Sequence, residues 1–170
     1  FGRVVAEALC IGRPVLGYRA ASFSIVKRNQ WAFEELDRAG YWYSSSVNPV
    51  RHDIYGFPDA PRFNFTPAGT DLTECPITTL EVAGQRLPCG GGGYFRLLPY
   101  GLFQWAMKRV NGGGHPCYFV SFLPEPVDGQ TIEDIAGAEA QFVRRVIELH
   151  PDADGKPAIV GNCQAGWAIM

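Results

Sequence analysis

Histidine is scarce in this chain: His52, His115 and His150 are the only three in 170 residues. A mechanism that needs several imidazoles is therefore constrained at once. The five cysteines, Cys10, Cys75, Cys89, Cys117 and Cys163, are odd in number, widely spread and form no CxxC pair. A zinc ribbon or a disulfide framework is poorly supported by that spacing, and most of these residues read as small buried apolar side chains. Runs of one charge are missing too, and the formal net charge is only −2. Nucleic-acid binding needs a concentrated basic surface, so it is not expected. No apolar run approaches the roughly 18 residues of a spanning helix, so no membrane span is expected. No secretory leader is recognisable, although the sequence starts at Phe1 rather than Met and leaves an upstream targeting segment open.

Apolar residues, by contrast, make up 46% of the chain and aromatic residues 13%. That composition supports a buried core and argues against disorder. The length suits one sizeable domain or two fragments. Val4, Val5, Ala8 and Leu9 suggest a helix over Phe1–Ile11, and Arg13–Arg19 a short strand. Trp31–Ala39 reads as a helix whose apolar side is Trp31, Phe33, Leu36 and Ala39, stopped by Gly40. Tyr41–Val47 reads as a strand. Asn48–Gly69 carries four prolines and has no helical period; Tyr55, Phe57, Phe63 and Phe65 suggest that this long loop is ordered. Leu72–Val82 is expected as one strand, Gly84-Gln85 as a turn and Leu97–Val110 as a helix. Asn111-Gly112-Gly113-Gly114 is the cleanest boundary. Pro116–Leu123 reads as an apolar strand and Thr131–Leu149 as a long helix, with Thr131 and Asp134 forming a capping box and Ile135, Ala138, Phe142, Val146 and Leu149 on one face. Ala158–Val160 begins another strand, so the last third is strand–helix–strand.

The segment Gly17-Tyr18-Arg19-Ala20-Ala21-Ser22-Phe23-Ser24-Ile25 resembles a motif of bacterial polysaccharide deacetylases of carbohydrate esterase family 4, in the branch associated with exopolysaccharide export. Further matches follow at Gly40-Tyr41, Arg51-His52-Asp53 with Tyr55-Gly56, Pro58–Phe63, and Leu87-Pro88 before Gly90–Gly93 with Tyr94-Phe95-Arg96. The resemblance covers about residues 1–111. It implies an α/β fold that is part of a distorted (β/α) barrel, and removal of N-acetyl groups from an exopolysaccharide. In that family a divalent metal such as zinc, held by an Asp and two His, activates water. The metal and base motifs of the family lie upstream of anything present here, and the aromatic–His–Pro acid motif is replaced by Cys117–Pro124. The resemblance therefore implies an incomplete catalytic set in these residues, with no cofactor of their own. Arg19 maps onto the position whose Arg orients the base by a charge-assisted hydrogen bond; Ala21 stands where the family usually has Pro, and Ser44 where it has Asp.

Arg51, His52 and Asp53 are candidate substrate-binding residues. Neighbouring residues of a strand face opposite sides, so they form no triad there; in a loop they either line a sugar cleft or fix the loop itself. Tyr94 and Arg96 are candidates as well, with the Tyr94 ring either stacking on a sugar or packing in the core. The run Gly90–Gly93 lacks the GxxxxGK[ST] pattern of a phosphate loop. It reads instead as a place where backbone passes close to a sugar ring or a neighbouring strand.

From His115 onward the chain resembles a different family, an uncharacterised α/β-hydrolase-like group related to polyhydroxyalkanoate synthases. Gly161-Asn162-Cys163-Gln164-Ala165-Gly166-Trp167 follows an apolar strand and has the small–x–nucleophile–x–small pattern of a nucleophile elbow. Cys163 is its candidate nucleophile. The expected organisation is thus a deacetylase-like part over residues 1–111, a junction at 112–114, and an α/β-hydrolase-like fragment over 115–170. Three functions stay open: a polysaccharide deacetylase-type hydrolase, an acyl-transfer or acyl-hydrolysing fragment centred on Cys163, and a non-catalytic carbohydrate-binding module. A polysaccharide is the expected partner, in bacterial cytoplasm or cell envelope, with no assignment of oligomeric state.

Overall fold

Three very short parallel strands organise the first part of the molecule. A computed structural model describes residues 15–90, 92–113, 116–120, 125, 127–157 and 159. The chain forms two compact units, Phe1–Cys117 and Tyr118–Met170. The expected helix Phe1–Ile11, His115, and the elbow with Cys163 lie outside the described residues.

In the first unit, β1 (Gly17–Tyr18) pairs in parallel with β2 (Tyr43–Ser44), which pairs in parallel with β3 (Thr73–Glu74). The connection from β1 to β2 contains helix α1 (Trp31–Arg38). Gly40 adopts φ of +79° and ends this helix: its amide donates to Asp37 O at 2.8 Å and the Tyr41 amide to Leu36 O at 3.1 Å. That pair of bonds is a Schellman cap, and Gly takes the left-handed position without a Cβ penalty. Phe33 and Leu36 of α1 enter a core with Ile25, Tyr41, Val47, Phe57 and Leu72. Burying such side chains stabilises by roughly 1.5–3 kcal/mol each. Trp31, expected on the same face, sits in the first turn and is exposed.

The Asn48–Gly69 segment is a loop anchored at both ends. The Phe57 amide donates to Asn48 O at 2.8 Å, and Phe57, Ala60 and Pro67 are buried. Phe65 forms an antiparallel bridge with Glu74, adding its backbone to β3. The expected single strand Leu72–Val82 is two strands in two different sheets. Its second part, β4 (Thr79–Val82), pairs antiparallel with β5 (Gln85–Pro88). Pro76 lies at the break, where it has no N–H to donate to a ladder. The hairpin turns at Ala83 and Gly84, with φ of +50° and +74°.

Arg62 and Arg86 clamp the long loop to this hairpin. Arg62 Nη2 donates to Thr79 O at 2.8 Å, and Arg86 Nη1 to Ala60 O at 2.6 Å and to Pro58 O at 2.5 Å. Glu81 faces both guanidinium groups, at 3.6 and 3.8 Å. The glycine run leads into a helix, α2 (Gly92–Leu97). The expected helix Leu97–Val110 begins instead at Tyr100, as α3 (Tyr100–Asn111), with Pro99 at its N-cap. Phe103, Ala106 and Val110 are its buried face.

The second unit is built on α4 (Ile132–Leu149). The Thr131 hydroxyl accepts from the Asp134 amide at 3.2 Å, and Asp134 Oδ2 accepts from the Thr131 amide at 2.8 Å, which completes the expected capping box. None of its residues is fully buried; Ile135, Ala138, Val143 and Val146 are half-buried, whereas Phe142 and Leu149, expected on the same face, are exposed. The expected strand Pro116–Leu123 is absent over its described residues 116–120. The Asn111 side chain explains part of this. Its Nδ2 donates to Cys117 O at 3.1 Å, and its Oδ1 accepts from the Cys117 amide at 2.8 Å. Both backbone groups that a ladder would use are thereby occupied.

Candidate functional site

Polar residues gather where the three parallel strands end. Glu74, the last residue of β3, is fully buried. Its Oε1 accepts from the Ser46 amide at 2.7 Å and the Val47 amide at 2.8 Å. Among the described residues its Oε2 has no hydrogen-bond partner. Burial pushes this carboxyl above its ordinary value; the Ser44 hydroxyl, the two amides and the Arg19 charge oppose the shift. Ser44 and Ser46 hydroxyls lie 2.8 Å apart, and Ser46 Oγ also accepts from the Ala20 amide at 2.9 Å. The serines thus tie the ends of β1 and β2 together, and Glu74 ties β2 to β3.

Arg19 follows β1 directly and is only partly buried. Its Nη2 donates to Ser45 Oγ at 2.8 Å. Burial pulls its pKa down, while Glu74 and then Cys75 support the charge. The neighbouring Cys75 thiol is pushed up to about 11, first by burial and then by Glu74. It is a neutral, structural thiol at ordinary pH.

From Arg19 an aromatic array leads outward. The guanidinium carbon lies 5.1 Å from the centroid of the Phe23 ring. Phe23 meets Tyr55 edge-on at 6.2 Å, and Tyr55 stacks on His52 at 3.8 Å with an interplanar angle of 12°. Phe23 and Ser22 have φ of +51° and +54°, a left-handed conformation that costs each of them about 1 kcal/mol or more. This strained pair sets the Phe23 ring against Arg19.

Of the candidates named from sequence, Arg19 and His52 are therefore joined through Phe23 and Tyr55. His52 Nδ1 also accepts from the Ile54 and Tyr55 amides at 3.2 and 3.4 Å, which shapes the turn. Gly56 closes that turn: a Cβ there would stand 2.5 Å from Val50 O and 2.9 Å from the His52 amide nitrogen. Arg51 and Asp53 are exposed on the same turn. Tyr94 lies within electrostatic reach of Tyr55: burial pushes its phenol up, and Tyr55 adds to the shift. It also lines an apolar groove of about 250 Å³ with Leu80, Leu87, Leu98, Leu102 and Trp105. Arg96 is exposed in the last turn of α2. Glu74 and Ser46 were not singled out from sequence, and Ser44 was named only as standing where the deacetylase family has Asp. One acidic residue inside the run Leu72-Thr73-Glu74-Cys75 was the available signal.

A divalent metal does not fit these side chains. Among the described residues no three His, Cys, Asp or Glu side chains are grouped closely enough to hold one. His52, the one described imidazole of the first unit, spends its Nδ1 on the turn.

A family model for a domain of unknown function, DUF3473, matches residues 45–137, more than half of the chain. The chain belongs to the DUF3473 family. This is a domain found in polysaccharide deacetylase-related proteins, and its match spans the loop, the hairpin and helices α2 and α3. A second family model, a protein of unknown function (DUF3141) related to polyhydroxyalkanoate synthases, matches residues 106–170 and overlaps the first. The DUF3473 chain is 70% identical over 57 residues to an "uncharacterized protein in ackA 5'region" of Rhizobium meliloti. That alignment covers 34% of this chain and 8% of the relative, so the chain spans a small part of the relative's length. No solved structure matches.

Proposed function

We propose that the first unit is the carbohydrate-handling part of a polysaccharide deacetylase-related protein, a piece of a (β/α) barrel whose strand ends face the sugar chain. The observation that carries this reading is the continuous array Arg19–Phe23–Tyr55–His52, which starts at the C-terminal end of β1. Active sites of (β/α) barrels collect at that edge. Aromatic faces pack on the apolar faces of sugar rings, and the exposed Arg51 and Asp53 are placed on the same turn for hydroxyl and carbonyl groups. The DUF3473 match supports the deacetylase context.

Hydrolysis needs an activated water, and the described residues offer no ligand set for the metal that the resemblance implies. The residues present bind and orient, with Arg19 held by Ser45 and charged beside Glu74. The expected activity of this chain is saturable binding of an N-acetylated oligosaccharide without turnover. Calorimetric titration with β-1,4-linked N-acetylglucosamine oligomers tests this. Binding that weakens about tenfold in Arg19→Ala supports it; no saturable binding, or equal binding by the variant, rejects it.

The DUF3141 match favours a second reading for residues 115–170, acyl transfer at Cys163. A Cys163 alkylation rate that titrates well below the free-thiol value of about 8.5, with ester hydrolysis lost in Cys163→Ala, would support it. An ordinary thiol titration with no hydrolysis would remove it.

A further inference from the structure

Cys89 and Cys117 are distant in sequence and converge on one residue. The Cys89 amide donates to Thr78 O at 3.2 Å, and its thiol donates to the same oxygen at 3.5 Å. Cys117 Sγ lies 3.4 Å from Thr78 Oγ1. The Asn111 side-chain amide holds the Cys117 backbone through two hydrogen bonds. Both cysteines pack in one apolar cluster with Leu80, Ala106 and Val110, and both are free thiols. Cys89 also lines the apolar groove beside Tyr94 and Trp105.

We propose that Cys89 and Cys117 form a dithiol site that closes into an intramolecular disulfide by exchange with a low-molecular-weight disulfide. Thr78 holds one sulfur at its carbonyl and the other at its hydroxyl; closure replaces these two contacts with an S–S bond. Cys117 is the more accessible residue and attacks first. Its thiolate forms a bond to one sulfur of the small disulfide, whose other sulfur leaves as a thiolate and takes up a proton. Cys89 then loses its proton and attacks the Cys117 sulfur, releasing the second small thiol. Two protein thiols are oxidised, and one small disulfide is reduced to two thiols.

The second step is the slow one. Burial pushes the Cys89 thiol up to about 11, with Cys117 adding to the shift, so its thiolate is scarce at neutral pH. The bridge would lock the end of β5 to the segment that leaves α3. This inference is independent of the carbohydrate reading, because it uses no residue of the Arg19 array.

Titration of the reduced full chain with oxidised glutathione, followed by non-reducing peptide mass mapping, tests it. The expected product is a Cys89–Cys117 linked peptide two hydrogens lighter, forming faster as pH rises toward 11. Cys89→Ser should trap glutathione on Cys117, and Cys117→Ser should leave Cys89 reduced. Phenylarsine oxide, a probe of paired thiols, should bind the wild-type chain at this site under native conditions. Stable glutathione on Cys117 in the wild type, pairing of either cysteine with Cys10, Cys75 or Cys163, or no linked peptide would each overturn the proposal.

Discussion

The strand ends around Glu74 and the turn Val50–Gly56 carry comparable polarity and spend it in opposite ways. Around Glu74 the polar groups are buried and aimed inward: a carboxylate holds two amides, and serine hydroxyls hold neighbouring strands. On the turn, Arg51, His52 and Asp53 are exposed, and only His52 Nδ1 is turned inward, onto local amides. Strands of two residues have little ladder of their own, so side-chain bonds must fix their spacing. The turn is closed by Gly56 and stacked through Tyr55, and Arg51 and Asp53 stay exposed on it. Arg19 and the Phe23 ring connect the two regions. The difference predicts that variants at the strand ends act on stability and that variants on the turn act on binding.

The largest effect is expected at Glu74. Glu74→Ala leaves the Ser46 and Val47 amides buried without an acceptor, at roughly 1–3 kcal/mol each, in addition to a cavity. A loss of about 3 kcal/mol or more should appear in urea melts of the first unit. An unchanged melt would erase the contrast. The same residue predicts a pH dependence. Its folded-state pKa lies above the ordinary value of 4.5, so the folded state binds the proton more tightly than the unfolded chain does. Stability is therefore fullest below that ordinary value and declines as pH rises from it through the folded-state pKa. Glu74→Gln, which keeps an oxygen for the two amides, should flatten this slope.

Arg62→Ala comes next, at about 2 kcal/mol. It removes the bond to Thr79 O, a contact with Glu81 and the guanidinium over Phe63. Limited proteolysis should then cut within Asn48–Gly69. A smaller effect, about 1 kcal/mol, is expected for Thr131→Ala, which breaks the capping box of α4; loss of helical circular dichroism in the second unit would record it. Arg51→Ala should change stability by less than about 0.5 kcal/mol while weakening oligosaccharide binding. If it destabilised the fold instead, the turn would be a structural element like the strand ends.

Local signals carried the parts that were legible in the sequence. Gly40 stops α1 where only a left-handed residue fits, and Thr131 with Asp134 starts α4. The aromatic residues of Asn48–Gly69 do mark a loop held in place. Signals that need tertiary partners were not legible. The β5 strand, Gln85–Pro88, alternates between exposed and half-buried positions, without a continuous apolar face. Helix α2 starts inside a glycine run, which reads as loop because glycine is among the poorest helix formers. The apolar run at Pro116 reads as a strand until the Asn111 side chain takes its backbone groups. Glu74 looks like one surface acid in an apolar stretch; its role depends on amides contributed 27 and 28 residues earlier. Arg19 and His52 could be named singly, yet the Phe23 and Tyr55 rings that join them were not recognised as the connection.

The most direct test follows the ring signals of Tyr55 and His52 by NMR while an N-acetylglucosamine oligomer is added. The account predicts that both rings shift together and saturably, and that Arg19→Ala weakens the response of both. Rings that stay unmoved through the titration, or a response indifferent to Arg19, would contradict it.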